Sequence, residues 1–133
     1  MSNPSTLLEL IQAAPAESTA IILPESGLRI SYQQLRDQVT AMADSLASMG
    51  IGKGDRVATY LPNGLPTVVS FLAGAIAGTS APLNPGYRED EVNFYLEDTN
   101  AKVLLLPPDG AEGARKAAEA RGVPVYNLEM DAT

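Results

Sequence analysis

Three residue types are missing outright, cysteine, histidine and tryptophan, and in this 133-residue chain the first two bear on chemistry. Without thiols there is no disulfide and no thiolate nucleophile. Without imidazole there is no Ser-His-Asp triad and almost no route to a zinc site. Chemistry would be left to carboxylates, hydroxyls, Lys and Arg. Basic charge is also scarce, with 9 Lys and Arg against 16 Asp and Glu and a formal net charge of -7. That balance argues against nucleic acid and anionic membrane as partners, since both demand a basic footprint. Long apolar runs are lacking too. The longest, Leu65 to Ala77, is shorter than the ~20 residues of a spanning helix and is interrupted by Pro66, Thr67, Ser70 and Gly74. The opening "MSNPSTLLEL" has neither the cationic lead nor the apolar centre of a targeting peptide, so a soluble, cytoplasm-type protein without a membrane span is expected.

What is present reads as one α/β domain, long enough to bury roughly two-thirds of its unfolded surface. Thr6 stands three residues before Glu9, the capping-box spacing, and predicts a short helix to about Ala14. "TAIIL" and "LRIS", joined by "PESG", suit a hairpin. Ser31 and Gln34 repeat the capping spacing. Behind them Leu35, Val39, Met42, Leu46 and Met49 lay one apolar stripe along a helix ending at Gly50, which should cover a sheet. From Arg56 onward strands and helices alternate: "RVATYL", the apolar "GLPTVVSFLAGAIAG", "TSAPLN", "REDEVNFYLEDTN", "KVLLL", "AEGARKAAEAR" and "VPVYNLE". Such β-α-β-α-β-α-β order predicts a mostly parallel sheet with helices on both faces, preceded by the short hairpin. Val92, Tyr95, Leu96 and Thr99 are expected on the inner face of their helix. The last residues, "EMDAT", show no closing element and suggest a chain that stops partway through a larger protein.

Several stretches invite a functional reading, and most decline it. "MGIGKGDR" has the glycines of a phosphate loop but follows a helix and precedes a strand, the reverse of a phosphate cradle, so it predicts a plain turn. Glu89, Asp90 and Glu91 cannot converge on one cation, because consecutive helical residues point about 100° apart. They suit a helix start, where carboxylates meet the positive end of the peptide dipoles. Arg115, Lys116 and Arg121 are interleaved with Glu112 and Glu119 and read as a solvated face. Tyr87, Phe94 and Tyr95 suit either core or a pocket wall. That leaves "LNPGY": prolines stop the strand, and a glycine between proline and tyrosine opens the backbone at a strand C-terminus, the end where open α/β sheets bind ligands. A stiff turn that only packs is the alternative.

At this point the residues resemble a family. The run "ISYQQLRDQVTAMADSLASMGIGKGDRVATYLPNGLPTVVSFLAGAIAGTSAPLNPGYREDEVNFYLEDTNAKVLLL" is similar to the start of the AMP-forming acyl-CoA synthetases, the adenylating superfamily that also holds luciferases and peptide-synthetase adenylation domains. "PLNPGYREDEVNFYLED" looks most like the oxalate-CoA ligase branch. The resemblance implies that residues 1–133 are a single N-terminal subdomain, part of the large N-terminal domain of an adenylating enzyme. Such enzymes form an acyl-adenylate from ATP, then pass the acyl group to CoA. The family's Ser/Thr-Gly-rich phosphate loop, its ribose-binding Asp, its hinge and its catalytic Lys are absent from this sequence. The resemblance therefore implies no catalytic residue, no metal ligand and no cofactor of this chain's own, with ATP, Mg²⁺ and CoA serving the full-length enzyme. It implies one carry-over: Asn84, Pro85 and Gly86 would lie beside CoA in the thioester-forming conformation. The implied partners are the remainder of the synthetase chain and a small carboxylic acid. Self-association through orphaned apolar faces is a further expectation, as is a cytoplasmic setting, or a peroxisomal one in a eukaryote. The competing reading is a stand-alone α/β binding or regulatory module derived from the same fold.

Overall fold

The computed structural model describes residues 6–24, 26–62 and 64–128. The expectations for the first five residues and for the segment from Glu129 onward lie outside the described residues. Helix α1 spans Leu7–Ala13, with the Thr6 hydroxyl accepting the Glu9 N–H at 3.1 Å. Strands β1 (Thr19–Leu23) and β2 (Leu28–Ser31) form the antiparallel hairpin. Helix α2 spans Tyr32–Ser48 and opens on a full capping box: Ser31 Oγ accepts the Gln34 N–H at 3.2 Å, and Gln34 Oε1 accepts the Ser31 N–H at 2.9 Å. Both predicted caps therefore form, because each satisfies backbone donors that a helix start leaves free.

Then follow β3 (Arg56–Thr59), α3 (Leu65–Ala77), β4 (Thr79–Pro82), α4 (Glu89–Thr99), β5 (Val103–Leu106), α5 (Glu112–Arg121) and β6 (Val125–Asn127). The four later strands make one parallel sheet in the order β4-β3-β5-β6. The α/β class, the parallel sheet and the preceding hairpin are as the alternation predicts. Strand order is what the sequence withholds.

Two cores flank the sheet. Val57, Val103 and Leu105 point to the side covered by α2, α3 and Ile30 of the hairpin. Ala58, Leu104 and Leu106 point to the side covered by α4 and α5. Side chains alternate across a strand, so β5 must be apolar at every position to serve both layers. Each fully buried Val or Leu contributes about 1.5–3 kcal/mol relative to exposure, and β5 supplies four in succession.

Three helices differ in detail from expectation. Helix α2 ends at Ser48, so Met49 becomes the cap and is exposed, while Ala43 joins Leu35, Val39 and Leu46 in the core. Helix α3 is sandwiched between α2 and the sheet, yet Val68 and Phe71 face outward. Helix α5, whose mixed charges predict a solvated face, also buries Ala114, Ala117 and Ala118 against the second core. Small residues permit that approach: a Cβ on Gly113 would meet the Glu89 backbone nitrogen at 3.3 Å. No described helix is long and apolar enough to cross a membrane.

Candidate functional site

The connections reverse direction in the middle of the sheet. From β3 the chain moves outward to β4 by way of α3. From β4 it crosses back over β3 to β5 by α4, then outward to β6 by α5. The loops leaving the carboxyl ends of β3 and β5 thus diverge, and open α/β sheets bind ligands in the crevice such divergence leaves. At that rim stand Tyr60 and Leu61 after β3, the "LNPGY" turn after β4, and Pro107 to Gly110 after β5.

The turn is built from its own atoms. Asn84 Oδ1 accepts the Gly86 N–H at 2.8 Å, and the Asn84 carbonyl accepts the Tyr87 N–H at 3.0 Å. Asn and Gly serve here because the short amide mimics a backbone turn. The backbone of Gly86 is not left-handed. The glycine matters for space instead, since a Cβ there would meet Asn84 Oδ1 at 3.2 Å. Asn84, Pro85 and Gly86 are all exposed at the rim. The structure therefore leaves open to solvent the three residues that the family resemblance singles out.

Behind the turn lies an aromatic cluster. The Tyr87 ring stacks on Tyr95 with centroids 5.0 Å apart and planes 5° from parallel, and Phe94 meets Tyr95 edge-on at 5.2 Å. Tyr87 and Tyr95 pack against the second core, whereas Phe94 is 58% exposed. Of the two readings the sequence offered for these aromatics, Tyr87 and Tyr95 follow the core and Phe94 does not. The Tyr95 hydroxyl, as hydrogen-bond partner, raises the Tyr87 phenol above its ordinary value, with burial and the Glu91 charge adding to the effect. Tyr87 is accordingly neutral at physiological pH.

The remaining candidates are occupied by structural work. Arg115 donates from Nε to the Gly110 carbonyl at 2.8 Å, from Nη2 to the Pro107 carbonyl at 2.6 Å and from Nη1 to Asn127 Oδ1 at 2.5 Å. It fastens the loop after β5 to the end of β6, a role the mixed-charge pattern of α5 concealed. Arg121 binds Asn93 and Glu97 of α4. Arg36 donates to the carbonyls of Ile11, Gln12 and Ala14 and so closes the end of α1. Glu91 folds back onto the Arg88 N–H at 3.0 Å as a helix cap. Among the described residues no cluster of three or more carboxylates could hold a metal ion.

The glycine cluster at 50–54 lies at the opposite rim and is a turn, as its place between helix and strand predicts. Gly50 and Gly54 adopt left-handed backbones with φ of 90° and 89°. Asp55 Oδ2 accepts the Gly52 N–H at 2.8 Å, and Lys102 Nζ donates to the Gly50 carbonyl at 2.7 Å while lying 3.3 Å from Asp55. The Gly52 N–H and then the Lys102 ammonium hold the Asp55 carboxyl below its ordinary value. A surface cleft of about 280 Å³ opens nearby between Asn100, Lys102, Arg121 and Gly122, but both of its cations are already committed. A triphosphate needs convergent N–H donors with a free cation. At the two rims Lys102 and Arg115 are spent on carbonyls, a carboxylate and an amide, while Lys53 and Arg56 are exposed at the amino rim, away from the LNPGY turn.

Residues 9–132 match the family model described as AMP-binding enzyme. The chain belongs to the AMP-binding enzyme family. Within it, the chain is 38% identical over 121 residues to a probable CoA ligase of Humulus lupulus, covering 89% of this chain and 23% of that protein. It is 30% identical over 129 residues to an oxalate–CoA ligase of Saccharomyces cerevisiae, covering 89% and 24% respectively. Among solved structures, apo MatB from Rhodopseudomonas palustris superposes with a TM-score of 0.81 at 27% identity, over 92% of this chain and 25% of that one. This AMP-binding family member therefore spans about a quarter of the length of these relatives. An oxalate–CoA ligase among them agrees with the wording of residues 82–98.

Proposed function

We propose that residues 1–133 form a single N-terminal subdomain of an ATP-dependent, AMP-forming carboxylic acid–CoA ligase, and that this chain alone does not adenylate. The observation that carries the reading is the combination of a family match over nearly the whole chain with coverage of only a quarter of the relatives. What this chain supplies is a wall: a parallel sheet, two cores and a rim. Within the full-length enzyme ATP, Mg²⁺ and CoA are the cofactors, and a small carboxylic acid is the substrate, oxalate being the first candidate because two relatives are named for it. The Asn84-Pro85-Gly86 turn lies beside CoA during thioester formation, a role its exposure at the carboxyl rim supports. A cytoplasmic setting, or a peroxisomal one in a eukaryote, suits such an enzyme.

The partner of this chain is the remainder of the synthetase. Val68 and Phe71 on α3 and Val125 and Tyr126 on the edge strand β6 are exposed apolar residues that the remainder would cover. Left uncovered, they favour self-association. The test compares the full-length synthetase carrying this sequence with the 133-residue chain. CoA- and acid-dependent AMP release is expected from the former and none from the latter, and light scattering of the shorter chain should show dimers or larger species. Absence of oxalate- or other acid-dependent AMP release from the full-length protein would remove the ligase reading. A clean monomer that binds no hydrophobic dye, and activates nothing when supplied with the remainder, would favour an independent binding module.

A further inference from the structure

Tyr60 joins the crevice to the turn. Its N–H donates to the Leu105 carbonyl at 3.0 Å, carrying the β3–β5 ladder one residue past Thr59 and fixing Tyr60 at the mouth of the crevice. Its hydroxyl reaches sideways over the end of the sheet and donates to the Tyr87 carbonyl at 2.8 Å, 27 residues later in sequence. Tyr87 is also the residue whose N–H closes the turn on Asn84 and whose ring rests on Tyr95. Its peptide and its ring are thus held from separate elements. The three residues before it are exposed, and among the described residues the Asn84 bonds are what fix their shape. Those bonds set the conformation of the turn, but not its position over the rim. The Tyr60 hydroxyl supplies the missing anchor, together with the Leu83 N–H bond to the Thr59 carbonyl at 2.8 Å.

We propose that Tyr60 is a positioning residue: by holding the Tyr87 carbonyl it sets where Asn84, Pro85 and Gly86 stand, and so governs use of the thiol substrate rather than formation of the adenylate. The inference rests on the reading that this turn borders CoA. A displaced contact of about 1 Å is enough to lose a large factor in a positioned reaction. Phenylalanine keeps the ring and its packing on the second core but removes the donor.

The test uses the full-length synthetase, with Tyr60→Phe and, separately, Asn84→Ala. Two rates are measured, ATP–pyrophosphate exchange without CoA and thioester formation against CoA concentration. For Tyr60→Phe the expected result is a KM for CoA raised roughly tenfold, the factor one ordinary hydrogen bond can carry, with exchange within about twofold of the parent on the same grounds. If both variants raise the KM for CoA, the inference stands. If only Asn84→Ala does, the turn still serves CoA and the role given to Tyr60 is overturned. If neither does, the reading of the turn fails and takes the inference with it. An equal loss in both rates for Tyr60→Phe would mark it as merely structural and overturn the proposal. Should that variant yield too little active protein, amide exchange in the 133-residue chain decides: faster exchange at Gly86 and Tyr87 is expected, and unchanged protection there would overturn the anchor.

Discussion

The two glycine-bearing turns at opposite ends of the sheet use the same residue type for different purposes. At the amino rim, residues 50–55 are closed by a charge pair and by backbone packed at contact distance. Lys102 ties Gly50 to Asp55, and a Cβ on Gly78 would lie 2.5 Å from the Asp55 carbonyl oxygen. At the carboxyl rim, residues 84–87 are closed by neutral hydrogen bonds and leave their backbone in solvent. One turn exists to bring a helix close to a strand. The other is held in place yet left uncovered, which is the condition a ligand contact requires. Glycine content alone would have favoured the first as the site, whereas the connectivity of the sheet favours the second.

That contrast can be broken from the packed side first. Gly78→Ala must push the new methyl into the Asp55 carbonyl, Ile51 and the Gly52 carbonyl. Forced overpacking of this kind costs about 1–3 kcal/mol, and the upper part of that range is expected here because two of the three neighbours are backbone. Urea unfolding would read it as a lowered midpoint. Gly86→Ala meets a single side-chain oxygen at 3.2 Å and should cost far less. Equal losses in the two variants would erase the distinction between the rims.

The next effect lies at the carboxyl rim. Tyr60→Phe removes one partly buried hydrogen bond and should lower stability by about 1 kcal/mol, in addition to its effect on CoA use. A slightly smaller gain is expected at the loop after β5. Ala111 has a left-handed backbone with φ of 55°, uncommon for a residue with a Cβ. Ala111→Gly should therefore stabilise by about 0.5–1 kcal/mol, seen as a higher thermal midpoint. A loss would show that the Ala111 side chain packs usefully.

The smallest effect is a pH dependence confined to the amino rim. Asp55 has its carboxyl lowered from 3.8 by the Gly52 N–H and Lys102. The stabilisation is fully present above that ordinary value and is lost as pH falls through the lowered one. Because the carboxylate remains about a third exposed to solvent, the slope should be slight. Comparing urea midpoints at neutral pH and below pH 3.8 for the parent and for Asp55→Asn checks it: the parent should lose more. The turn at 84–87 holds no carboxylate, so Tyr60→Phe should leave this acid slope unchanged.

Much of the scaffold was legible in the sequence because it is local. Thr6, Ser31 and Gln34 declare their caps through spacing, and "VLLL" declares a strand buried on both faces. The place of β3 between β4 and β5 was not legible. It depends on which way the chain turns after Pro82, and no local pattern encodes that. For the same reason Tyr60 read as the tail of a strand, since its partner lies 27 positions away. Arg115 and Arg36 were hidden likewise: carbonyls at the ends of other elements accept their donors, and a carbonyl leaves no mark in sequence. The candidate residues Asn84, Pro85 and Gly86 stood out through turn chemistry that the structure shares, while the proposal that they border CoA comes from family resemblance.

The most direct measurement of the central claim is ATP–pyrophosphate exchange by the purified 133-residue chain with Mg²⁺ and a panel of carboxylic acids including oxalate. The account predicts exchange no faster than buffer at every acid concentration. Saturable, acid-dependent exchange by this chain unaided would contradict it.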